Sequence, residues 1–90
     1  MHDAIYRIHT EDKNREDVLE ECSNMVSSFA CYSVTGYWKG EEELGIMLEF
    51  ILKDTAHNDA LIKCLAESIK HMNQQEAVLI SKSQCTRQFV

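Results

Sequence analysis

The sequence predicts an α+β fold, with two amphipathic helices on one face of a four-stranded antiparallel sheet. Three observations carry that expectation. The stretch TGYWKGEEELGIMLEFIL, Thr35 to Leu52, reads as one β-hairpin whose second arm is the longest apolar strand of the chain. Two segments, Val18 to Phe29 and Leu61 to Met72, repeat apolar residues at helical spacing. Period-two alternation over Ala4 to Thr10 and a short apolar run at Glu76 to Ile80 bracket these segments, giving the order βαββαβ. With right-handed crossovers, that order folds as a split βαβ, the ferredoxin-like sandwich.

Each element has its own grounds. In the first strand Ala4, Tyr6 and Ile8 share one face, while Ile5, Arg7 and His9 share the other, so the strand is half-buried. Asn14 then reads as a helix N-cap, with Asp17 placed to meet the free amides and the positive end of the helix dipole. Val18, Leu19, Cys22, Met25, Val26 and Phe29 form that helix's apolar stripe. The second strand, about Ala30 to Lys39, is rich in aromatic and β-branched residues. Lys39-Gly40 and the three glutamates after it are expected to turn the chain.

Along the third strand Leu44, Ile46, Leu48, Phe50 and Leu52 fall on one face and Gly45, Met47, Glu49 and Ile51 on the other. The second set is mixed rather than polar, and a monomer would normally leave a polar outer face. Thr55 or Asn58 caps the second helix, whose stripe is Leu61, Cys64, Leu65, Ser68, Ile69 and Met72. Asn73 is a left-handed terminator in this reading. The run Glu76 to Ile80 is apolar enough for a strand covered on both faces. The polar tail, Ser81 to Val90, ends in Phe89 and Val90 and either extends that strand or pairs with a neighbouring subunit.

Ninety residues with no Pro and three Gly make a single domain spanning 1–90, without a flexible linker. The start, MHDAIYRIHTEDK, has no basic segment followed by an apolar core, and no apolar run is long enough to span a bilayer, so a cytoplasmic protein without membrane contact is expected. A net charge of −6 with scattered Lys and Arg argues against nucleic acid as a partner. Cys22, Cys31, Cys64 and Cys85 are isolated. Two of them lie on helical stripes, so buried thiols are favoured over disulfides.

The four histidines and four cysteines lack metal-ligand spacing, and no metal site or cofactor is expected from within one chain. The hairpin offers a different chemistry. Gly36 admits a close backbone approach, Tyr37 and Trp38 supply stacking surface, and Glu43 opens the next strand beside them. Such a set suits a small ligand with a flat ring and a hydroxyl or cationic group. Trp38 reads equally as ordinary core, and the glutamates as a solvated turn. Gln75, just before the last strand, is the candidate partner from across the site. No Ser, Cys or Lys stands beside a credible base, so nucleophilic catalysis has no support.

The segment Tyr37-Trp38-Lys39-Gly40, with its glutamate-rich turn and apolar strand, resembles the same region of CutA-like proteins, relatives of the PII-type signalling proteins. A closer resemblance is to small phage proteins of that superfamily, including the phage S-adenosylmethionine lyases. Thr35-Gly36-Tyr37, Glu41 to Glu43, the Leu61 to Met72 helix, Gln75-Glu76-Ala77-Val78-Leu79 and Lys82-Ser83-Gln84 follow in the order of that pattern, over about Glu16 to Gln84. The resemblance implies a homotrimer with ligand sites between subunits. For a lyase it further implies cleavage of S-adenosylmethionine to methylthioadenosine and homoserine lactone by positioning, with Glu43 as the catalytic candidate. Glu43 is followed here by Leu44 and Gly45 instead of the glutamate-x-serine common in related sequences, so one hydroxyl contact is missing. That departure bears on catalysis more than on binding. The expected function is therefore a homotrimer binding a nucleotide-like metabolite such as S-adenosylmethionine, with the ligand-binding residues Gly36, Tyr37, Trp38, Glu43 and Gln75. The alternatives are a phage-type lyase, a protein-interaction module and a CutA-like metal-binding protein, and enzyme activity is left open.

Overall fold

In the computed structural model, which describes residues 2–90, β1 (Asp3–Glu11) and α1 (Arg15–Met25) lead into the hairpin of β2 (Ala30–Trp38) and β3 (Glu41–Lys53); α2 (Ala56–Asn73) and β4 (Leu79–Cys85) follow. The strands form one antiparallel sheet in the order β2-β3-β1-β4. This is the expected ferredoxin-like α+β arrangement. Among the described residues, no helix is long and apolar enough to cross a membrane.

Alternation decides which side of the sheet is covered. Ala4, Tyr6 and Ile8 of β1 and Ile46, Leu48 and Phe50 of β3 point at the helices and are buried. They meet Val18 and Cys22 of α1 and Ile62, Leu65, Ala66 and Ile69 of α2. Phe29, just before β2, stacks on Phe50 with ring centroids 5.7 Å apart. The other side of the sheet is open. It carries Tyr32, Val34, Ile51 and Leu79 as exposed apolar side chains, with Ile5 and Met47 half-buried. Every residue of β2 is exposed, because that edge strand extends beyond the helices.

Several local expectations need correction. The turn after β2 is two residues long: Lys39 and Gly40 both have positive φ (52° and 80°), as a mirror-image hairpin turn requires. Glu41, Glu42 and Glu43 are strand residues paired with Trp38, Tyr37 and Gly36. Asn14 stands at the N-cap position in the left-handed region, yet its side chain caps nothing. Its amide instead donates to Met72 O and Asn73 Oδ1 at the far end of α2, tying the two helices together.

Thr55, not Asn58, caps α2 by accepting from the Asn58 amide at 3.1 Å. The left-handed terminator is Gln74 (φ 54°), and the Gln75 amide reaches back to Lys70 O as in a Schellman cap. Asn73 is the last helical residue and is buried. The inward face of α2 runs through Ile62, Leu65, Ala66 and Ile69, so Cys64 faces water while Cys22 is buried; all four cysteines are free. Burial pushes the Cys22 thiol up to about 12.

The fourth strand is shifted along the chain. The run Gln75–Val78 is loop, and the polar segment continuing to Cys85 is the strand. An edge strand needs only one neighbour's backbone. Its helix-side residue Lys82 spans the gap by lying over Tyr6 and pairing with Asp54 and Asp59 at 2.7 and 2.8 Å. Beyond it Arg87 bonds Asp3 and Ile51 O, and Phe89 and Val90 stay exposed.

Candidate functional site

A notch opens where β1 stops. The paired arms of β2 and β3 run on past Glu11, which is the last residue of β1 to pair with β3, opposite Gly45. On the other side of β1, the loop Gln75–Val78 and the start of β4 form a second wall. The cleft between them has a volume of about 720 Å³, within the range of small-molecule sites, and its wall is mostly apolar. His9, Thr10 and Glu11 make the floor.

The floor is tight because Gly45 allows it. A Cβ added there would stand 2.9 Å from the Thr10 carbonyl oxygen, closer than real Cβ contacts come. Gly36 differs. A Cβ there would meet only Glu43 O at 4.0 Å, so the fold itself does not need glycine at this position.

All five residues singled out from the sequence, Gly36, Tyr37, Trp38, Glu43 and Gln75, line this cleft. They do not share one side of it. Gly36, Trp38 and Glu43 belong to the open face of the sheet, with Val34, Gly45, His9 and Leu79. Tyr37 projects to the helix side, where Thr10, Ile46 and Gln75 also lie. Tyr37 and Trp38 therefore cannot cover the same face of one ring. Both are largely exposed, at 72 % and 64 %, which removes Trp38 from the core of this chain.

Gln75 is held rather than free. Its Oε1 accepts from Thr10 Oγ1 and from Asn73 Nδ2 (3.0 Å), and its Nε2 donates to Ala77 O (3.3 Å). Asn73, only 2 % exposed, also accepts from Asn14, and its carbonyl receives Lys13 Nζ at 3.4 Å. This buried network fixes the loop wall against the end of β1, and one amide hydrogen of Gln75 remains for a ligand. Sequence reasoning missed Thr10 and Asn73. The available signal was a polar residue at the next position of an apolar periodicity, Ala4-Tyr6-Ile8-Thr10 in β1 and Ile62-Leu65-Ala66-Ile69-Asn73 in α2.

The charge of the cleft is one-sided. Its wall carries Glu11, Glu43 and Glu76 and, among the described residues, neither Lys nor Arg. Glu11 has Lys13 at 3.5 Å, whereas Lys39 Nζ stands outside the wall, 5.8 Å from the centroid of the Trp38 ring. His9 contributes an imidazole whose Nε2 lies 3.4 Å from Ser81 Oγ. Among the described residues, no three His, Cys, Asp or Glu side chains gather as a metal site would require.

No protein-family model and no curated protein matches the sequence. Solved structures do match. A DUF3240 family protein from Shewanella baltica superposes with a TM-score of 0.75 at 13 % identity, over 98 % of this chain and 94 % of that one. A phage SAM lyase in complex with S-methyl-5'-thioadenosine gives 0.71 at 10 % identity, over 91 % and 81 %. CPII, a nitrogen regulatory PII-like protein from Thiomonas intermedia bound to ADP, AMP and bicarbonate, gives 0.64 at 14 % identity, over 99 % and 98 %. The fold is the PII/CutA-like ferredoxin fold. At such low identity the likeness speaks for the fold alone, which is the fold the hairpin resemblance implied.

Proposed function

We propose that this protein is a single-domain, cytoplasmic binder of a nucleotide-like small molecule, S-adenosylmethionine or a relative, working as a homotrimer. The observation that carries the reading is the notch at the end of β1. It is a cleft of ligand size with an exposed Trp38 on one wall, a glycine the fold does not require at Gly36, and the carboxylate of Glu43 beside them. In this reading the ring of the ligand lies on Trp38, and Gly36 lets it approach the backbone. Glu43 accepts from a ribose hydroxyl or faces a positive centre, while Tyr37 and Gln75 close the cleft from the helix side. Adenine-bearing ligands in two proteins of the same fold support this choice of class.

The homotrimer is supported by the open face of the sheet, where Tyr32, Val34, Ile51 and Leu79 are exposed on the side that Gly36 and Trp38 share. Apolar patches of this kind mark association surfaces, and a neighbouring subunit laid there would border the cleft. The second reading, a lyase, rests on the likeness to the phage enzyme together with the position of Glu43 in the cleft.

Calorimetric titration of the parent, Trp38→Ala and Glu43→Gln with S-adenosylmethionine tests the site, with the melting temperature as a folding control. Both variants are expected to fold and to bind at least tenfold more weakly, a loss of about 1.4 kcal/mol. Folded variants that bind like the parent remove these residues from the site. Release of methylthioadenosine by the parent decides for the lyase, and binding without release leaves a sensor. Light scattering at micromolar concentration should give about three times the 10.4 kDa chain mass; a mass near one chain refutes the trimer.

A further inference from the structure

Resting on the ligand-binding reading above, we infer that the cleft selects a positively charged, phosphate-free ligand and rejects nucleoside phosphates. Phosphate groups are ordinarily held by Arg or Lys, or by several backbone amides at a helix N-terminus. Among the described residues, the cleft wall contains neither Lys nor Arg. Its helical boundary is the wrong end: the loop Gln75–Val78 follows the C-terminus of α2, where the dipole is negative. Three carboxylates line the same space, and among the described residues only Glu11 has a cationic partner. A phosphate placed there meets like charge on two walls. A sulfonium or ammonium centre meets opposite charge.

A second observation is independent of the carboxylates. The Trp38 indole, the largest aromatic surface of the cleft, already has a cation over it, the ammonium of Lys39. Lys39 is a residue of the turn and not of the cleft wall, and its ammonium lies where the electron-rich face of the indole attracts a cation. Lys13, the other nearby lysine, is engaged by Glu11 and Asn73 O. The ligand class that fits is a ring-bearing cation with no phosphate, which sets S-adenosylmethionine apart from the adenine nucleotides.

The test is a titration of the full chain with four probes that differ in charge. S-adenosylmethionine carries a sulfonium, and S-adenosylhomocysteine is its neutral thioether. Adenosine is neutral, and adenosine monophosphate adds a dianion. S-adenosylmethionine is expected to bind about tenfold more tightly than the thioether, and adenosine about tenfold more tightly than its monophosphate. Glu43→Gln should shrink both ratios. Lys39→Asn removes the competing ammonium and leaves Asn-Gly, a favoured pair for this turn, so it should fold at least as well and bind S-adenosylmethionine a few-fold more tightly. Equal affinity for adenosine and its monophosphate, or for sulfonium and thioether, overturns the charge selection while leaving the ligand site intact. Absence of binding by all four probes overturns the site itself, and the selection with it.

Discussion

Replacing Gly45 by Ala tests whether the cleft floor is as tight as the structure makes it. The new Cβ would stand 2.9 Å from the Thr10 carbonyl oxygen, and that neighbour is backbone inside a paired strand, so it cannot swing aside. Overpacking of this kind costs about 1–3 kcal/mol. Against it stands a gain of about 0.4–1 kcal/mol, because alanine restricts the unfolded chain more than glycine does. The net expectation for Gly45→Ala is a loss of about 1–2 kcal/mol. Gly36→Ala is the internal control. It lies in the same hairpin, its Cβ would meet nothing nearer than 4.0 Å, and its φ is not positive. It should therefore keep the gain without the cost. The two variants are expected to differ by about 2 kcal/mol, which is about 8–16 °C in melting temperature for a domain of this size. Urea and thermal unfolding should be compared at one protein concentration, since self-association shifts apparent stability. Gly45→Ala as stable as Gly36→Ala would refute the close approach of β1 and β3 at Thr10. Gly36→Ala should also bind the ligand more weakly although it folds well, which separates a glycine kept for the ligand from one kept for the chain.

Truncating Phe50 or Leu48 to Ala should cost about 2–5 kcal/mol in urea unfolding, because both side chains are fully buried beneath the helices; parent-like unfolding of both would refute the register of β3. Asn73→Ala removes donors to Thr10 and Gln75 and an acceptor for Asn14, and should lower stability by about 1–3 kcal/mol; proteolysis should then find the Gln75–Val78 loop more readily than in the parent. Burial, with a hydrogen bond to Asp59, pushes the Tyr6 hydroxyl up to about 12. The folded state thus keeps that proton more tightly than the unfolded chain does. The resulting stability is complete below pH 10 and lost as pH rises towards about 12, so Tyr6→Phe should flatten the alkaline decline of the melting temperature across that window. Asp59 shifts the other way: the hydrogen bonds from Lys82 and then Tyr6 hold its carboxyl below the usual range, so its contribution is present at neutral pH and fades on acidification.

The parts of the fold legible in the sequence were those set by a local period. Leu44 to Leu52 alternate without interruption, and from Ile46 to Phe50 every second residue is buried as that alternation requires. The position of the turn was legible in Lys39-Gly40, while its length was not: three consecutive glutamates look like a solvated loop, and only pairing with Trp38, Tyr37 and Gly36 makes them a strand. In α2 two overlapping stripes both satisfy helical spacing. Packing chose the one through Ile62, Ala66 and Asn73 over the one through Leu61, Cys64 and Ser68. The fourth strand was legible in its existence and place in the order, but not in its extent, because apolar content is a poor guide to where an edge strand runs. Backbone pairing with β1 holds Lys82, Ser83 and Gln84 in place without it. At the cleft, Gly36, Tyr37, Trp38 and Glu43 were legible as one set because the hairpin pairs them locally. The division of the set between two sides of the sheet follows from strand parity, which the expected position of the turn obscured. Thr10 and Asn73 meet only in three dimensions, sixty-three residues apart.

The position of β1 has a consequence for how the chain comes to its structure. The first of the four strands is an inner strand, flanked by β3 and β4, and Asp3 must wait for its partner Cys85. Until then one backbone edge of β1 stands unpaired beside apolar Ile5 and Ile8. Local hairpin closure between β2 and β3 can run early, because its loop is two residues long. The pairing of β1 with β4 closes a loop that contains both helices and the hairpin, and sheets dominated by such long-range pairings form slowly. A growing or shortened chain lacking Leu79 to Cys85 would therefore offer an open strand edge to its neighbours, and its fate would turn on self-pairing rather than on the chemistry of the cleft.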